Sequence, residues 1–146
     1  LGVKDPFNMG AAMAPAAADT IEAHFRDTGL TPGHYDLIVT GDLASVGLPI
    51  AKELLQKAGV PMDETEFGDC GLMVYDRQNQ TYVRAGGSGC GCSAVVAYGH
   101  LLKKMANKEL KKVLVVATGA LLSPLSYQQG ESIPCIAHAV ALEMED

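Results

Sequence analysis

Four glycines fall within residues 86–91, in the run Ala85-Gly86-Gly87-Ser88-Gly89-Cys90-Gly91-Cys92-Ser93. A residue without Cβ lets backbone approach a ligand, or lets a helix approach a strand, very closely. The run leads straight into residues 94–105, where Val95, Tyr98, Leu102 and Met105 recur at helical spacing. A helix start carries free N–H groups and a partial positive charge, which favour a carboxylate or a phosphate. The pattern is neither a P-loop, which needs Gly-Lys-Ser/Thr, nor a dinucleotide fingerprint with a strand just before it. A tight packing turn and a ligand loop therefore stand level as readings of this run.

The flanking segments point to an α/β fold. Residues 35–40 and 112–118 are short β-branched runs that read as buried strands. Residues 15–27 read as a helix, with Pro15 in its first turn, Ile21 and Phe25 four apart, and Gly29 as the stop. Residues 48–58 read as a second helix, with Pro49 near its start and Gly59 at its end. Residues 60–68 are polar and acidic and read as a surface excursion. Residues 71–75 and 81–84 read as a strand pair about the polar turn 76–80. Residues 119–134 read as an irregular loop and 135–143 as the last strand. In such layered folds the ligand crevice lies at the C-terminal ends of the strands. Residues 41–45, 86–93 and the loop before Cys135 are expected to converge there.

Length and charge narrow the function. A chain of 146 residues fits one domain. Its net charge of -6, with no basic run, argues against nucleic acid, because phosphate binding needs clustered Lys and Arg. The longest apolar stretches, 113–117 and 137–142, fall far short of the roughly 20 residues a spanning helix needs. The chain opens on Leu1 without an initiator Met, which reads as a piece of a longer chain.

The polar residues offer several candidates. Cys70, Cys90, Cys92 and Cys135 give one Cys-x-Cys pair and two singletons, which is not a zinc spacing, so no metal is expected. Cys90 and Cys92 sit where a helix start lowers a thiol pKa, but no histidine lies in the loop to serve as base, and buried small residues fit them better. His24, His34, His100 and His138 form no ligand spacing. His138 reads as a core or interface histidine and His34 as a solvated turn residue. Asp42 either caps the segment after the first strand or faces the crevice. Ser126, Glu131 and Ser132 lie in the loop before the last strand, either solvated or facing the crevice.

Several runs carry a resemblance that covers nearly the whole chain. They are Gly86-Gly87-Ser88-Gly89-Cys90-Gly91-Cys92-Ser93-Ala94-Val95-Val96, Val115-Val116-Ala117-Thr118-Gly119-Ala120-Leu121-Leu122-Ser123-Pro124 and Glu131-Ser132-Ile133-Pro134-Cys135-Ile136-Ala137-His138. Ala12-Met13-Ala14-Pro15-Ala16-Ala17-Ala18-Asp19-Thr20-Ile21 and Tyr35-Asp36-Leu37-Ile38-Val39-Thr40-Gly41-Asp42-Leu43 belong with them. Together they closely resemble the stage V sporulation protein AD family of spore-forming bacteria.

That family is similar to thiolases and ketoacyl synthases, whose two α/β halves form a five-layer arrangement. The resemblance implies that this chain is the C-terminal half of a thiolase-like fold, a mixed sheet with helices packed on it, beginning just after that half's first strand. Related ketoacyl synthases place a histidine just after the strand that resembles 35–40, where Gly41 and Asp42 stand here. Thiolases carry one in a Gly-His-Pro loop, where this chain has Gly87-Ser88-Gly89. They also carry a second cysteine before the last strand, where Glu131-Ser132-Ile133 stands. Without those groups no general base is evident, so no catalytic residue and no cofactor are expected.

The resemblance implies binding of dipicolinic acid, alone or as its calcium chelate, for uptake into the forespore and release at germination. Ser132, Ser88 and Asp42 are the first candidate contacts, with Gly87, Gly89, Cys90 and Glu131 beside them. Expected partners are the other proteins of a spore membrane channel complex, with the chain peripheral on the spore inner membrane. Self-association or pairing with an N-terminal half is also expected, the isolated chain being marginally stable or oligomeric. An active thiolase-like acyltransferase and a pure scaffold of the channel are the rival expectations.

Overall fold

The computed structural model describes residues 2–87 and 89–145. Helix α1 (Met9–Thr28) begins where the Asn8 side chain accepts the Ala11 N–H and ends on Gly29, whose φ of 70° donates its N–H to Phe25. It starts six residues before Pro15, so the proline lies inside the helix rather than in its first turn. Strand β1 (Leu37–Thr40) is buried throughout. Helix α2 (Ala44–Lys57) starts four residues earlier than Leu48 and likewise runs through its proline, Pro49.

Residues 60–68 are not simply a surface excursion. Met62 is buried, and Glu66–Asp69 forms strand β2, which pairs in parallel with β1 from Leu37↔Glu66 to Thr40↔Asp69. The expected strand pair at 71–75 and 81–84 does not form either. Cys70–Met73 is a single helical turn, α3, and the chain then wanders to Gly91. Val74 and Tyr75 supply β-type side chains but have no strand partner to pay for an edge, so the Asp76 turn closes on local side-chain bonds to Gln78 and Asn79 instead.

A continuous helical rod then runs from Cys92 to Ala106. It consists of α4 (Cys92–Val96), a π-type segment (Ala97–Leu101) and α5 (Leu102–Ala106). Strand β3 (Lys112–Ala120) pairs in parallel with β1 and antiparallel with β4 (Cys135–Glu143). The expected irregular loop between them contains one short helix, α6 (Pro124–Gln128). The sheet order is β2-β1-β3-β4, a mixed sheet, and the fold is α/β.

Strand alternation sends side chains to two layers. Ile38, Leu114, Val116 and Ala137 pack with Ile21 and Phe25 of α1 and Leu55 of α2. Leu37, Val39 and Val113 pack with Cys92, Val96, Leu101 and Met105 of the helical rod. Helices α1 and α2 cross with backbones in contact, because a Cβ on Gly10 would overlap the Leu43 carbonyl and one on Gly47 would overlap the Gly10 carbonyl. Leu142 of β4 packs against the layer that holds the rod, but the rest of that face of β4 is left uncovered. Ile136 and Val140 are each 57% exposed on that strand, and Tyr98 is exposed on the rod. Between rod and strand lies an open recess of about 380 Å³ lined by Tyr98, Leu102, Val115, Ala117, Val140 and Leu142.

Candidate functional site

Two of the three expected segments meet at the C-terminal ends of β1 and β3. Asp42 follows β1 and accepts the Thr118 hydroxyl at 2.7 Å and the Gly89 N–H at 3.2 Å. The Thr118 hydroxyl oxygen in turn accepts the Asp42 N–H at 3.2 Å. Gly41 has no room for a side chain, since a Cβ would lie 2.6 Å from Thr118 Oγ1 and 2.9 Å from Ser93 Oγ. The glycine loop is therefore held to the end of β1 by Asp42, and Asp42 to the end of β3 by Thr118.

Beneath this node lies a buried carboxylate. Asp69 ends β2 and is 1% exposed. Its Oδ2 accepts the Thr40 hydroxyl at 2.6 Å and the Leu43 N–H at 2.9 Å. Its Oδ1 accepts the Ala44 N–H at 2.8 Å and the Gly71 N–H at 2.9 Å. Burial pushes its pKa up, while these four donors favour the ionised form. Ala44 stands at φ 54°, a left-handed conformation that costs a residue bearing Cβ, and the Asp69 bond to its N–H helps to hold it.

The glycine loop leans on the same frame. Ser45 donates its N–H to the Ala85 carbonyl at 3.0 Å, and Gly87 donates to the Gly71 carbonyl at 2.6 Å. Gly86 has φ 147°, and a Cβ there would meet the Gly71 carbonyl at 2.7 Å. Beside the loop, Val74, Tyr75, Gly87, Gly89, Cys90 and Val95 line an open recess of about 350 Å³.

The two buried thiols near this node are held in their protonated form. Burial pushes the Cys70 thiol up to about 12, helped by the nearby Asp69, Cys92 and Asp42. Burial, then Asp42 and Asp69, raises Cys92 to about 11. The helix start does not lower it, because desolvation and the two carboxylates act against the thiolate. Cys90 is the exposed one of the pair.

The third expected segment stands apart. Glu131 and Ser132 are exposed and border a recess of about 10 Å³ shared with Lys4, Leu122, Ser126 and Tyr127. The N-terminal segment packs there, with Ile133 donating its N–H to the Val3 carbonyl at 2.9 Å. Among the described residues no hydrogen bond joins Glu131 or Ser132 to Asp42 or the glycine loop. Ser88, also a candidate contact, lies outside the described residues.

One histidine departs from its sequence reading and another keeps one of its two alternatives. His34 is half-buried, not a solvated turn residue, and bonds Glu143 at 2.8 Å near the opposite end of the sheet. His138 is exposed on β4, which leaves the interface alternative of its reading and not the core one. Among the described residues no group of three or more His, Cys, Asp or Glu is placed to hold a metal ion. No helix among them is long and apolar enough to cross a membrane. Asp69, Thr40 and Thr118 escaped the sequence reading. Asp69 before Cys70-Gly71 does carry a helix-cap signature, and its side chain caps that turn through Gly71.

Comparison with known proteins adds the family. The family model described as Stage V sporulation protein AD matches residues 1–143. The chain is 56% identical over 143 residues to Stage V sporulation protein AD of Bacillus subtilis (strain 168). The match covers 98% of this chain and 41% of that protein, so the chain spans about two fifths of its relative's length. The chain belongs to the stage V sporulation protein AD family.

Proposed function

We propose that this chain is the dipicolinate-binding part of a sporulation protein and does no chemistry on its ligand. The observation that carries the reading is the node at the strand ends. There the glycine loop is fastened to Asp42, which Thr118 holds in turn, while the neighbouring buried thiols Cys70 and Cys92 are pushed to about 12 and 11. A thiol protonated at neutral pH is a poor nucleophile, and among the described residues no imidazole is bonded to either one. The Gly87 and Gly89 N–H groups and the Thr118 hydroxyl are bonded within the node, so an anionic oxygen ligand draws on the neighbouring loop N–H groups and on hydroxyls such as Ser93. Asp42 itself repels a dianion and serves better to orient donors or to meet a calcium ion carried by the ligand.

Pairing with the remainder of a thiolase-like protein fits the apolar surface left open between the rod and β4. Tyr98, Val140 and Ile136 are too exposed there for a finished core. A second half seated on that face completes the site and supplies the aromatic wall for the pyridine ring. The assembly then docks with the other proteins of a spore membrane channel at the inner membrane.

Two variants of the full-length protein test the binding site. Asp42→Ala weakens dipicolinate binding by roughly tenfold, through loss of the bonds that order Gly89 and Thr118. Ser132→Ala weakens it comparably if assembly brings that loop to the same ligand. Undiminished binding in both variants contradicts the site, and turnover of a coenzyme A thioester contradicts the non-catalytic reading.

A further inference from the structure

We infer that Asp69 is the positioning residue of the candidate site, holding the ligand loops in place without touching the ligand. The inference rests on the binding reading above. A carboxylate that is 1% exposed is costly to bury unless its oxygens are satisfied. Asp69 satisfies them with four donors, and three of those are backbone N–H groups of two different loops. Leu43 and Ala44 belong to the exit of β1, immediately after Asp42. Gly71 belongs to the turn on which the glycine loop rests, because its carbonyl accepts the Gly87 N–H at 2.6 Å.

One side chain therefore sets the distance between the exit of β1 and the Gly71 turn that supports the glycine loop, while Asp42 joins that exit to the loop directly. The Gly71 turn has no slack in this arrangement, since a Cβ there would overlap the Gly87 carbonyl and sit 2.9 Å from Asp69 Oδ1. Thr40 orients the carboxylate from below at 2.6 Å. Asparagine at position 69 keeps the shape but turns an N–H₂ toward N–H donors, so at least one of these backbone N–H groups loses its acceptor and the frame loosens.

The test compares full-length protein with its Asp69→Asn variant in two measurements. Amide hydrogen exchange is expected to rise at residues 43–45, 71 and 85–91, with the β3–β4 ladder unchanged. Dipicolinate affinity, read by calorimetry, is expected to fall by roughly tenfold or more. Uniformly faster exchange across the sheet means a general stabilising role and overturns the inference, as does unchanged exchange at the loops. If the unaltered protein binds no dipicolinate, the binding reading fails alone, and loop exchange still decides whether Asp69 positions these segments. Should Asp69→Asn not fold, Thr40→Val removes only the orienting hydroxyl. Faster exchange confined to 43–45 and 85–91 then supports the inference, and protection unchanged there overturns it.

Discussion

At the scale of single residues, the site is governed by what each group gives up when buried. Cys70 and Cys92 lose hydration and face carboxylates, so both thiols stay protonated at neutral pH. Cys90, two residues from Cys92, is exposed. Alkylation of the folded 146-residue chain at pH 7.5 should therefore mark Cys90 first and leave Cys70 and Cys92 protected until denaturant is added. Mass mapping of the labelled peptides checks this, and early labelling of Cys92 contradicts the burial argument. The sequence showed the glycines and the thiols but not Asp69. Its importance comes from partners 25 to 29 positions away in sequence, a pairing that only the parallel register of β1 and β2 creates.

Single elements are tied by backbone contact as much as by side chains. Gly47 of α2 lies against Gly10 of α1 with no room for a methyl group. Gly47→Ala should cost about 1–3 kcal/mol, the usual range for overpacking, and lower the thermal midpoint. An unchanged midpoint would show that the helices can part freely. Asp36 joins the entry of β1 to the start of β3 by accepting the N–H groups of Lys111 and Lys112 at 2.7 and 2.9 Å. Those bonds lead the causes that hold its carboxyl below the usual range. A depressed folded-state pKa contributes stability that is present above the unfolded value of about 4 and is lost as pH falls through the folded one. Asp36→Asn should therefore lower the denaturation midpoint at pH 7 and have less effect at pH 3. An equal loss at both pH values contradicts the assignment.

The elements themselves were unevenly legible. The β-branched runs announced β1 and β3, and alternation gave β4 its full extent, Cys135–Glu143. Strand β2 was hidden because Glu66-Phe67-Gly68-Asp69 has a single large apolar residue and takes its strand state from pairing with β1. Pro15 and Pro49 suggested helix starts, whereas both helices begin earlier and absorb the missing donor inside.

For the molecule as a whole, one face of the sheet is finished and the other is not. Helices α1 and α2 cover the first, but the rod leaves β4 open on the second, and β4 has no strand partner on its outer edge among the described residues. An open nine-residue edge beside exposed Ile136 and Val140 favours pairing with another chain. The isolated chain should therefore sediment as more than a monomer, and Val140→Lys should shift it toward monomer without lowering its thermal midpoint. A monomeric parent chain contradicts this.

The central claim is that the family member holding this chain binds dipicolinate and leaves it unchanged. Calorimetric titration of dipicolinate into the full-length protein, with and without calcium, tests it most directly. Saturable binding, with the ligand recovered intact, is the result expected here. A flat titration against well-folded protein contradicts the claim and leaves a scaffold role in the sporulation machinery as the better account.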